Sequence, residues 1–428
     1  MSDLAPVPAL AISAAGAVYE IDGQRFEVAG AAAAFADAVA QAHACHRRLR
    51  CLCQADGVEM YVARLAPPHG GYAVKRLPDT GWHHAPACPS YAPPAELSGL
   101  GQVLGSAIAE DPTTGETTLA LDFALSKIAG RTSPTPSDTV TSSVSTTGIR
   151  LSLRGLLHYL WDEAELTRWH PGFCGKRSWG TVRRLLLAAA EHKRVGGDPL
   201  RLRLYIPEPF SLERREAINE RRLAEWSRAV AQPKGPSPLM LLIAEVKEIV
   251  PSRYGYKAVL KHLPDHALML DEHLYKRLGR SFEPDLALWA SSADIRMVMI
   301  ATFGLSGAGV ASIHELCLMP VSMQWLPVGD GFGQQLIDKL VAEERVFTRS
   351  LPYNLRPKEP LAFAVLSDCG ADAVTLRLIY QPETGGRATS SRAQGDGSTG
   401  WTWRPEMEQL PRLPGPAVEV RRVEGTAA

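Results

Sequence analysis

The sequence lacks the features that would assign it at once to a membrane, secreted or strongly charged class. No run approaches the roughly 18 apolar residues that a membrane-spanning helix requires. An acidic residue, Asp3, stands where a secretory signal peptide would carry positive charge. Basic and acidic residues balance at 46 each, so no global field would draw the chain onto nucleic acid or a membrane. We expect a cytoplasmic protein with no membrane partner, in which any contact with DNA depends on a local patch.

Cysteine is also scarce, with seven residues in 428, and the odd number in a long chain disfavours a disulfide framework. Four of the seven nevertheless lie between Cys45 and Cys88. They include a Cys-x-Cys pair, Cys51 and Cys53, and the last of them closes a His-x-x-x-Cys pair, His84 and Cys88. The two pairs flank two runs that are typical of a hairpin, beginning at Val58 and Gly71.

This spacing is typical of a structural zinc site. Zinc in such sites takes four nitrogen or sulfur ligands in a tetrahedron, and the hairpin would return the second pair to the first. We therefore expect one structural zinc per chain, held by Cys51, Cys53, His84 and Cys88. The alternative is that these cysteines are only small buried hydrophobes. Other side chains also compete as ligands, namely His43, Cys45, His46 and His83.

The sequence carries no complete catalytic motif. The glycine-bearing run 304–313 lacks the Lys-Ser/Thr of a P-loop, and no Ser-His-Asp set can be assigned from spacing. A restriction-type nuclease needs clustered acids and a lysine, for which the candidates are Glu245, Lys247, Glu344 and Asp368. The strand after Asp368 reads Thr375-Leu376-Arg377 where Glu-x-Lys would belong. We expect Asp368 to face Thr375 and Arg377, and hydrolysis to be absent.

Composition and periodicity divide the chain into an α+β, multidomain protein. An N-terminal zinc-ribbon-like module carries the Cys/His site, a helical, winged-helix-like segment follows, and a mixed α/β C-terminal domain has the outline of a nuclease core. The Ser/Thr/Pro-rich linker cannot offset its ordering entropy by burial, and most of the tail is predicted to be disordered. The predicted ranges are 1–128 for the module, 129–150 for the linker, 151–238 for the helical segment, 239–381 for the mixed domain and 382–428 for the tail.

Local patterns predict several elements within these ranges. Asp22-Gly23 is a strong hairpin signal, and leucines at i, i+3, i+4 and i+7 from Leu153 predict one apolar helix face. The alternating run that starts at Leu200 predicts a strand. Near the C-terminus we expect the strands around 361–368 and 373–381 to pair antiparallel. A helix should pack on them through Leu336, Leu340 and Val341.

The second helix of the middle segment is a candidate DNA-reading helix. A recognition helix favours a basic N-terminal half that reaches phosphates and base edges. The residues predicted to bind nucleic acid are Lys176, Arg177, Trp179, Arg183 and Arg184. The alternative is that this basic face is simply solvated surface, as most charge runs are.

Several blocks together resemble a bacterial family known as domain of unknown function family 1173. They are "CLC", "HAPACPSY", "GKRSW" (175–179), "LYIPEPF" (204–210) and "YNLRPKEPLAFAVLSD" (353–368). The resemblance covers nearly the whole chain except the linker and the tail. It implies carriage by integrative conjugative elements and a zinc site at the four ligands above. The chain departs from the family at Ser350–Asn354, where Pro352 stiffens the loop.

The sequence therefore predicts a zinc-containing accessory protein of a mobile genetic element that binds DNA without catalysis. Its partners would be DNA or a nucleoprotein complex, with further protein partners from the same element. Two alternatives remain: a metal-dependent nuclease with a rearranged centre, and a protein-interaction subunit of a nucleoprotein complex.

Overall fold

The computed structural model describes residues 17–28, 32–64, 71–111, 114–127, 150–231, 235–253, 255–355, 361–380 and 400–417. Helices and strands are mixed throughout these ranges, which confirms the α+β class. The predicted linker lies outside the described residues except for Arg150, and so do residues 382–399 and 418–428 of the predicted tail. None of the helices in the described ranges has the length and apolar character needed to cross a bilayer.

The N-terminal module is an antiparallel sheet covered by one helix. Its elements are β1 (Val18–Ile21), β2 (Gln24–Glu27), α1 (Ala32–Ala44), β3 (Leu49–Cys51), β4 (Val58–Arg64) and β5 (Tyr72–Arg76). The strand order is β2-β1-β3-β4-β5. Both predicted hairpins are confirmed, and Ile21 pairs with Gln24 across a turn whose two residues have positive φ. Helix α1 buries Phe35 against the sheet, so the module has an apolar core of its own.

A helical segment follows the module, interrupted by short strands. Its elements are α2 (Leu100–Val103), β6 (Ile108–Glu110), β7 (Thr117–Leu119), β8 (Ser126–Lys127), α3 (Leu153–Glu163), β9 (Arg168–Trp169), α4 (Trp179–Ala190), β10 (Lys193–Val195), β11 (Asp198–Pro199), α5 (Leu200–Arg203), β12 (Leu204–Tyr205) and α6 (Arg215–Trp226). The predicted apolar face of α3 is buried, and Ser152 caps that helix. The strand predicted from Leu200 is wrong over its first residues. They form α5, because Leu200 and Leu204 are both buried at helical spacing while Leu202 is exposed.

The central sheet closes on itself. Strand β13 (Ser237–Pro238) precedes it and pairs with β8 in a separate two-stranded sheet. The elements of the central sheet that follow, with the helices between them, are β14 (Met240–Ser252), β15 (Gly255–Leu260), β16 (Leu263–Leu270), α7 (Glu272–Ser281), α8 (Glu283–Ser291), β17 (Arg296–Leu305) and β18 (Ala311–Val321). The order is β12-β14-β15-β16-β18-β17, and β14 also pairs with β17. One face of β14 and β17 lines the inside of the sheet, and the other packs on α3 and α4. Burial on both faces explains why these strands read as continuous apolar runs.

The C-terminal sheet combines β9 with strands from the end of the chain. The remaining elements are α9 (Gly331–Ala342), β19 (Phe347–Arg349), β20 (Ala364–Leu366), β21 (Val374–Leu378) and β22 (Gly400–Trp403), in the order β22-β21-β20-β19-β9. The predicted antiparallel pairing of β20 with β21 is confirmed, and Leu336 and Leu340 of α9 pack on this sheet. The prediction of disorder is wrong for 400–417, because β22 pairs with β21 and Trp403 is buried.

One apolar core joins parts of the chain that the sequence analysis placed in three separate domains. It contains Val103 and Leu121, the buried faces of α3 and α4, and the outer face of the central sheet. Helix α3 has too wide an apolar surface to be covered by α4 alone, with Leu156, Leu157 and Trp161 all fully buried. The central sheet completes that burial. The segments predicted as 151–238 and 239–381 therefore share a core.

Candidate metal centre and basic surface

The four predicted zinc ligands lie together in the N-terminal module, with all donor atoms within 4.8 Å of one another. Nδ1 of His84 lies 3.3 Å from Sγ of Cys53 and 3.7 Å from Sγ of Cys88. The sulfurs of Cys51 and Cys88 are 3.8 Å apart. A tetrahedral zinc with ordinary bond lengths separates two sulfurs by about 3.8 Å and a sulfur from a nitrogen by about 3.5 Å. The donor set therefore fits zinc both in chemistry and in spacing.

Local structure places the first pair of ligands. Cys51 ends β3, where it pairs with Tyr19 of β1 and Val58 of β4. The chain then turns, and the N–H of Gly57 bonds to the carbonyl of Gln54. This turn holds Cys53 next to the buried Cys51 side chain.

The second pair lies in the loop that follows β5. A single 3₁₀ turn, Gly81–His83, ends with the N–H of His84 bonded to the carbonyl of Gly81. A side chain at Gly81 would collide with Ala92, since its Cβ would lie 2.6 Å from that of Ala92. Glycine therefore allows the loop to fold back, and the loop brings His84 and Cys88 onto the first pair.

Hydrogen bonding within the cluster divides its protons unevenly. The hydrogen bond from Cys51 lowers the pKa of the Cys88 thiol, against burial and with help from His84 and the Ser90 N–H. The same bond and burial raise the pKa of Cys51, and burial raises the pKa of Cys53. Three neighbouring thiols thus hold one negative charge easily and further charges only with a cation present. A divalent ion would supply that cation.

The histidine of the cluster is almost fully enclosed. His84 is 1% exposed, and its Nε2 atom is buried without a hydrogen-bond partner among the described residues. A ligating histidine usually donates its second N–H to a carbonyl or carboxylate. His84 makes no such bond to the described residues. The nitrogen that faces the sulfurs of Cys53 and Cys88 is Nδ1.

The competing ligands lie elsewhere. His83 and Cys45 are exposed, and the ring of His83 packs against Trp82. His43 contacts Tyr72 instead. In the ranges that the structure describes, the four predicted residues form the one group of three or more His, Cys, Asp or Glu donors close enough to share an ion.

Two arginines outside the motif hold the loop that carries Cys88. Arg168 donates to the carbonyls of Pro89, at 2.8 Å, and Tyr91, and Arg76 donates to that of Ser90 at 3.2 Å. Arg168 belongs to β9 of the C-terminal sheet, so the metal loop is tied to a distant part of the chain. Sequence reasoning missed both arginines, because nothing in the local pattern around Arg168 points to a loop so far back in the chain.

Two of the predicted nucleic-acid-binding residues are used inside the fold. Arg177 donates to four backbone carbonyls and stacks on Trp169 and Phe173. Burial lowers its pKa to about 10. Trp179 is 4% exposed, and its indole N–H bonds to the carbonyl of Pro207. Neither side chain therefore lies on the surface, where a residue that contacts DNA would have to be.

The other three predicted residues are at least partly accessible. Lys176 and Arg184 are exposed, and Arg183 is half-buried with its Nε–H bonded to the carbonyl of Ile206. The carboxylate of Glu208 lies beside this face and forms a bidentate pair with Arg221. That pair, together with the charges of Arg183 and Arg214, lowers the pKa of Glu208. Sequence reasoning missed Arg214 and Arg221, because they lie at the start of the next long helix and within it.

The residues proposed for a nuclease centre do not converge. Glu245 is buried and bonded to Lys261 and Arg296, and Asp368 is held by Arg345. The expectation that Asp368 would face Thr375 and Arg377 is therefore wrong: an arginine does occupy it, but from the turn after α9 rather than from β21. Lys247 and Glu344 are exposed at separate places.

Comparison with known proteins assigns a family but no activity. A protein-family model described as "Protein of unknown function (DUF1173)" matches residues 19–406, which include the metal cluster, the basic face, the central sheet and the C-terminal sheet. No curated protein and no solved structure gives a significant match.

Proposed function

The chain belongs to the DUF1173 family of proteins of unknown function, and we propose that it is a zinc-containing protein that binds DNA without catalysing a reaction. The observation that carries the first half is the Cys51, Cys53, His84 and Cys88 cluster, whose donor spacings match a tetrahedral zinc. The second half is supported by the basic face of α4 and its neighbours.

The donor set favours zinc over other common ions. Thiolates and imidazole select zinc or copper rather than magnesium or calcium, which prefer oxygen ligands. All four positions come from protein, which is the pattern of a structural site, whereas a catalytic zinc keeps one position for water. The ion would join β3 to the loop after β5. Arg168 binds the same loop, so the ion and Arg168 together would fix that loop on the C-terminal sheet.

The test is metal analysis of freshly purified protein. We expect about one zinc per chain, lost in Cys88→Ser and retained in Cys174→Ser, which changes an exposed cysteine outside the cluster. Cobalt in place of zinc should give thiolate-to-metal charge-transfer bands together with the visible d–d bands of a tetrahedral Co²⁺ site. Wild-type protein without metal, purified in the absence of chelators, would contradict the proposal.

The proposal of DNA binding depends on charge and on element order. Helices α3 and α4 are followed by the β10–β11 hairpin, which is the order of a winged helix. On the surface of this unit Arg183, Arg214 and Arg221 lie around the carboxylate of Glu208, and Glu220 and Glu225 lie near Arg221. The exposed Arg184 extends the basic side of this surface, which would meet DNA phosphates. The resemblance to a family carried by integrative conjugative elements supports a cytoplasmic accessory role in such an element.

Salt-dependent binding tests this half. Arg184→Ala and Arg214→Ala should each reduce the slope of log K against log salt by about 1, since each phosphate contact releases about one counterion. Arg280→Ala, an exposed arginine at the end of α7, is the matched control. Protein that fails to bind DNA at low salt would favour the alternative role, a protein-interaction subunit of a nucleoprotein complex.

The absence of catalysis is proposed because the candidate acids are already paired with cations. A divalent ion needs free carboxylate oxygens, whereas those of Glu245 and Asp368 accept hydrogen bonds from lysine and arginine. DNA incubated with Mg²⁺ or Mn²⁺ should stay intact. Cleavage by the wild type that disappears in Asp368→Ala, with that variant still folded by circular dichroism, would instead support the nuclease alternative.

A further inference from the structure

A second cluster of charged side chains surrounds Glu245 of β14, near the point where this strand stops pairing with β17 and begins to pair with β15. Glu245 is buried there, with its side chain 1% exposed, and it accepts hydrogen bonds at Oε1 from Lys261 at 2.6 Å and from Arg296 at 3.0 Å. His262 lies 3.7 Å from Oε2. Burial would raise the pKa of Glu245, but the neighbouring His262, the hydrogen bond from Lys261 and the charges of Lys261 and Arg296 lower it to about 2. One carboxylate is thus shared by two fixed cations and a histidine.

The cations of this cluster are partly open to solvent. The side chain of Lys261 is 43% exposed, and those of His262 and Arg296 are each 24% exposed. The ammonium of Lys261 has three N–H donors and the guanidinium of Arg296 has five. The bonds to Glu245 use one donor of each, so most of the N–H groups are not bonded to Glu245. Nε of Arg296 is buried without a partner among the described residues, so it is not one of the donors that a ligand can reach from solvent. The cluster therefore offers both net positive charge and unused donors.

Lys261 and His262 form the two-residue turn between β15 and β16, in which Leu260 pairs with Leu263. Neither turn residue has positive φ, so this turn does not require the Asn-Gly or Asp-Gly that primed hairpin turns favour. Both positions carry long polar side chains, which the turn presents next to Glu245.

Aromatic rings hold two of these groups in place. The ring of His262 stacks on Trp179 with centroids 5.4 Å apart and planes at 10°. Arg296 lies over the ring of Trp325, 4.9 Å from its centroid. Such support restricts the side chains before any ligand arrives, and it therefore reduces the entropy lost on binding. Trp179 is also the first residue of α4, so the cluster lies against the start of that helix.

We propose that Lys261, His262 and Arg296 form a phosphate-binding site, which takes either a backbone phosphate of nucleic acid or a free phosphate group. Arginine and lysine are the residues that bind phosphate most strongly, through charge-assisted hydrogen bonds. In its nucleic-acid form the inference rests on the proposed DNA binding, because a duplex along α4 would meet the turn beside the first residue of the helix. In its free-phosphate form it is independent of that proposal.

The experiment uses inorganic pyrophosphate and a short DNA duplex as probes of the full chain. Pyrophosphate should shift the imidazole signals of His262 in NMR spectra, and Lys261→Gln should weaken that binding at least about five-fold, through the loss of one charge-assisted hydrogen bond. Glu245→Gln should tighten it, because it removes the carboxylate that competes for the same donors. The matched control is Lys276→Gln on α7, which lies at the far end of the same hairpin, where Tyr275 stacks on Tyr256.

Each outcome decides a separate point. Two results would show that the cations only neutralise Glu245. In the first, Lys261→Gln binds both probes as well as Lys276→Gln does. In the second, neither probe moves the His262 signals of the wild type. Binding of pyrophosphate without DNA supports the free-phosphate source and contradicts the DNA proposal alone. Binding of DNA with an unchanged salt slope in Lys261→Gln retains the DNA proposal and overturns the nucleic-acid form of this site; pyrophosphate binding that Lys261→Gln leaves unchanged overturns the free-phosphate form. If Lys261→Gln does not fold, His262→Gln serves as the second variant.

Discussion

Replacing Asp368 by asparagine tests whether this carboxylate holds the fold together. Its two oxygens accept from Nε and Nη2 of Arg345 at 2.9 and 2.7 Å, and the Val346 N–H adds a third bond at 2.8 Å. Arg345 is 2% exposed, and it also donates to the carbonyl of Pro414. Asparagine keeps the shape but leaves a buried guanidinium without its counter-charge. Losing one partner of a buried ion pair costs about 3 to 5 kcal/mol, so we expect Asp368→Asn to lose about 3 kcal/mol of stability.

The assay is hydrogen exchange of the β19 and β20 amides, which reports the opening free energy of this sheet. The matched control is Asp372→Asn, because Asp372 is an exposed aspartate between β20 and β21 and the same chemical change is made there. A surface substitution of this kind should change stability by less than about 0.5 kcal/mol. The difference between the two variants therefore isolates the pair with Arg345.

The pH dependence gives the assay a second readout. Burial would raise the pKa of Asp368, but the bonds from Arg345 and the Val346 N–H lower it overall. A carboxylate with a lowered pKa stabilises the fold above its unfolded value, about 3.9, and loses that contribution as the pH falls through its folded value. The deficit of Asp368→Asn should therefore shrink in acid. A deficit that is absent at pH 7, or independent of pH, would refute the reasoning.

Three further predictions concern the metal, the buried glutamate and the basic helix. Cys53→Ser should lose the metal and be digested faster in its N-terminal module, whereas Cys45→Ser should keep the metal and the wild-type rate of proteolysis. Zinc at about 1,000 times its Kd would contribute about 4 kcal/mol to the stability of the folded state. Glu245→Gln should cost roughly 3 kcal/mol at pH 7, because the pKa is about 2 in the fold and about 4.3 unfolded; its deficit should shrink below about pH 4 in urea titrations. Arg177→Ala should lower stability by more than about 2 kcal/mol through its lost carbonyl contacts, whereas Arg184→Ala should leave the thermal midpoint unchanged and alter only DNA binding.

Local patterns predicted elements well where both the signal and its partner lie close in the chain. The Asp22-Gly23 turn and the apolar face beginning at Leu153 were confirmed, because turn preference and helix periodicity depend on neighbouring residues. The strand predicted from Leu200 was wrong, since Leu200 and Leu204 are buried by elements distant in sequence. Tertiary packing overrides a short alternating pattern of this kind.

The metal cluster could be predicted from residue spacing alone, because a Cys-x-Cys pair and a His-x-x-x-Cys pair on either side of a hairpin can meet in few ways. Only the folded structure shows which histidine nitrogen faces the sulfurs. It also shows that Arg168 holds the loop. The partners of the charged residues also depended on it.

Arg177 was expected to reach DNA but binds four carbonyls inside the fold. Glu245 likewise gathers cations from another strand and from a turn. A charge acts on whatever lies within a few ångströms of it, and for a long side chain those neighbours are set by the fold rather than by the adjacent sequence.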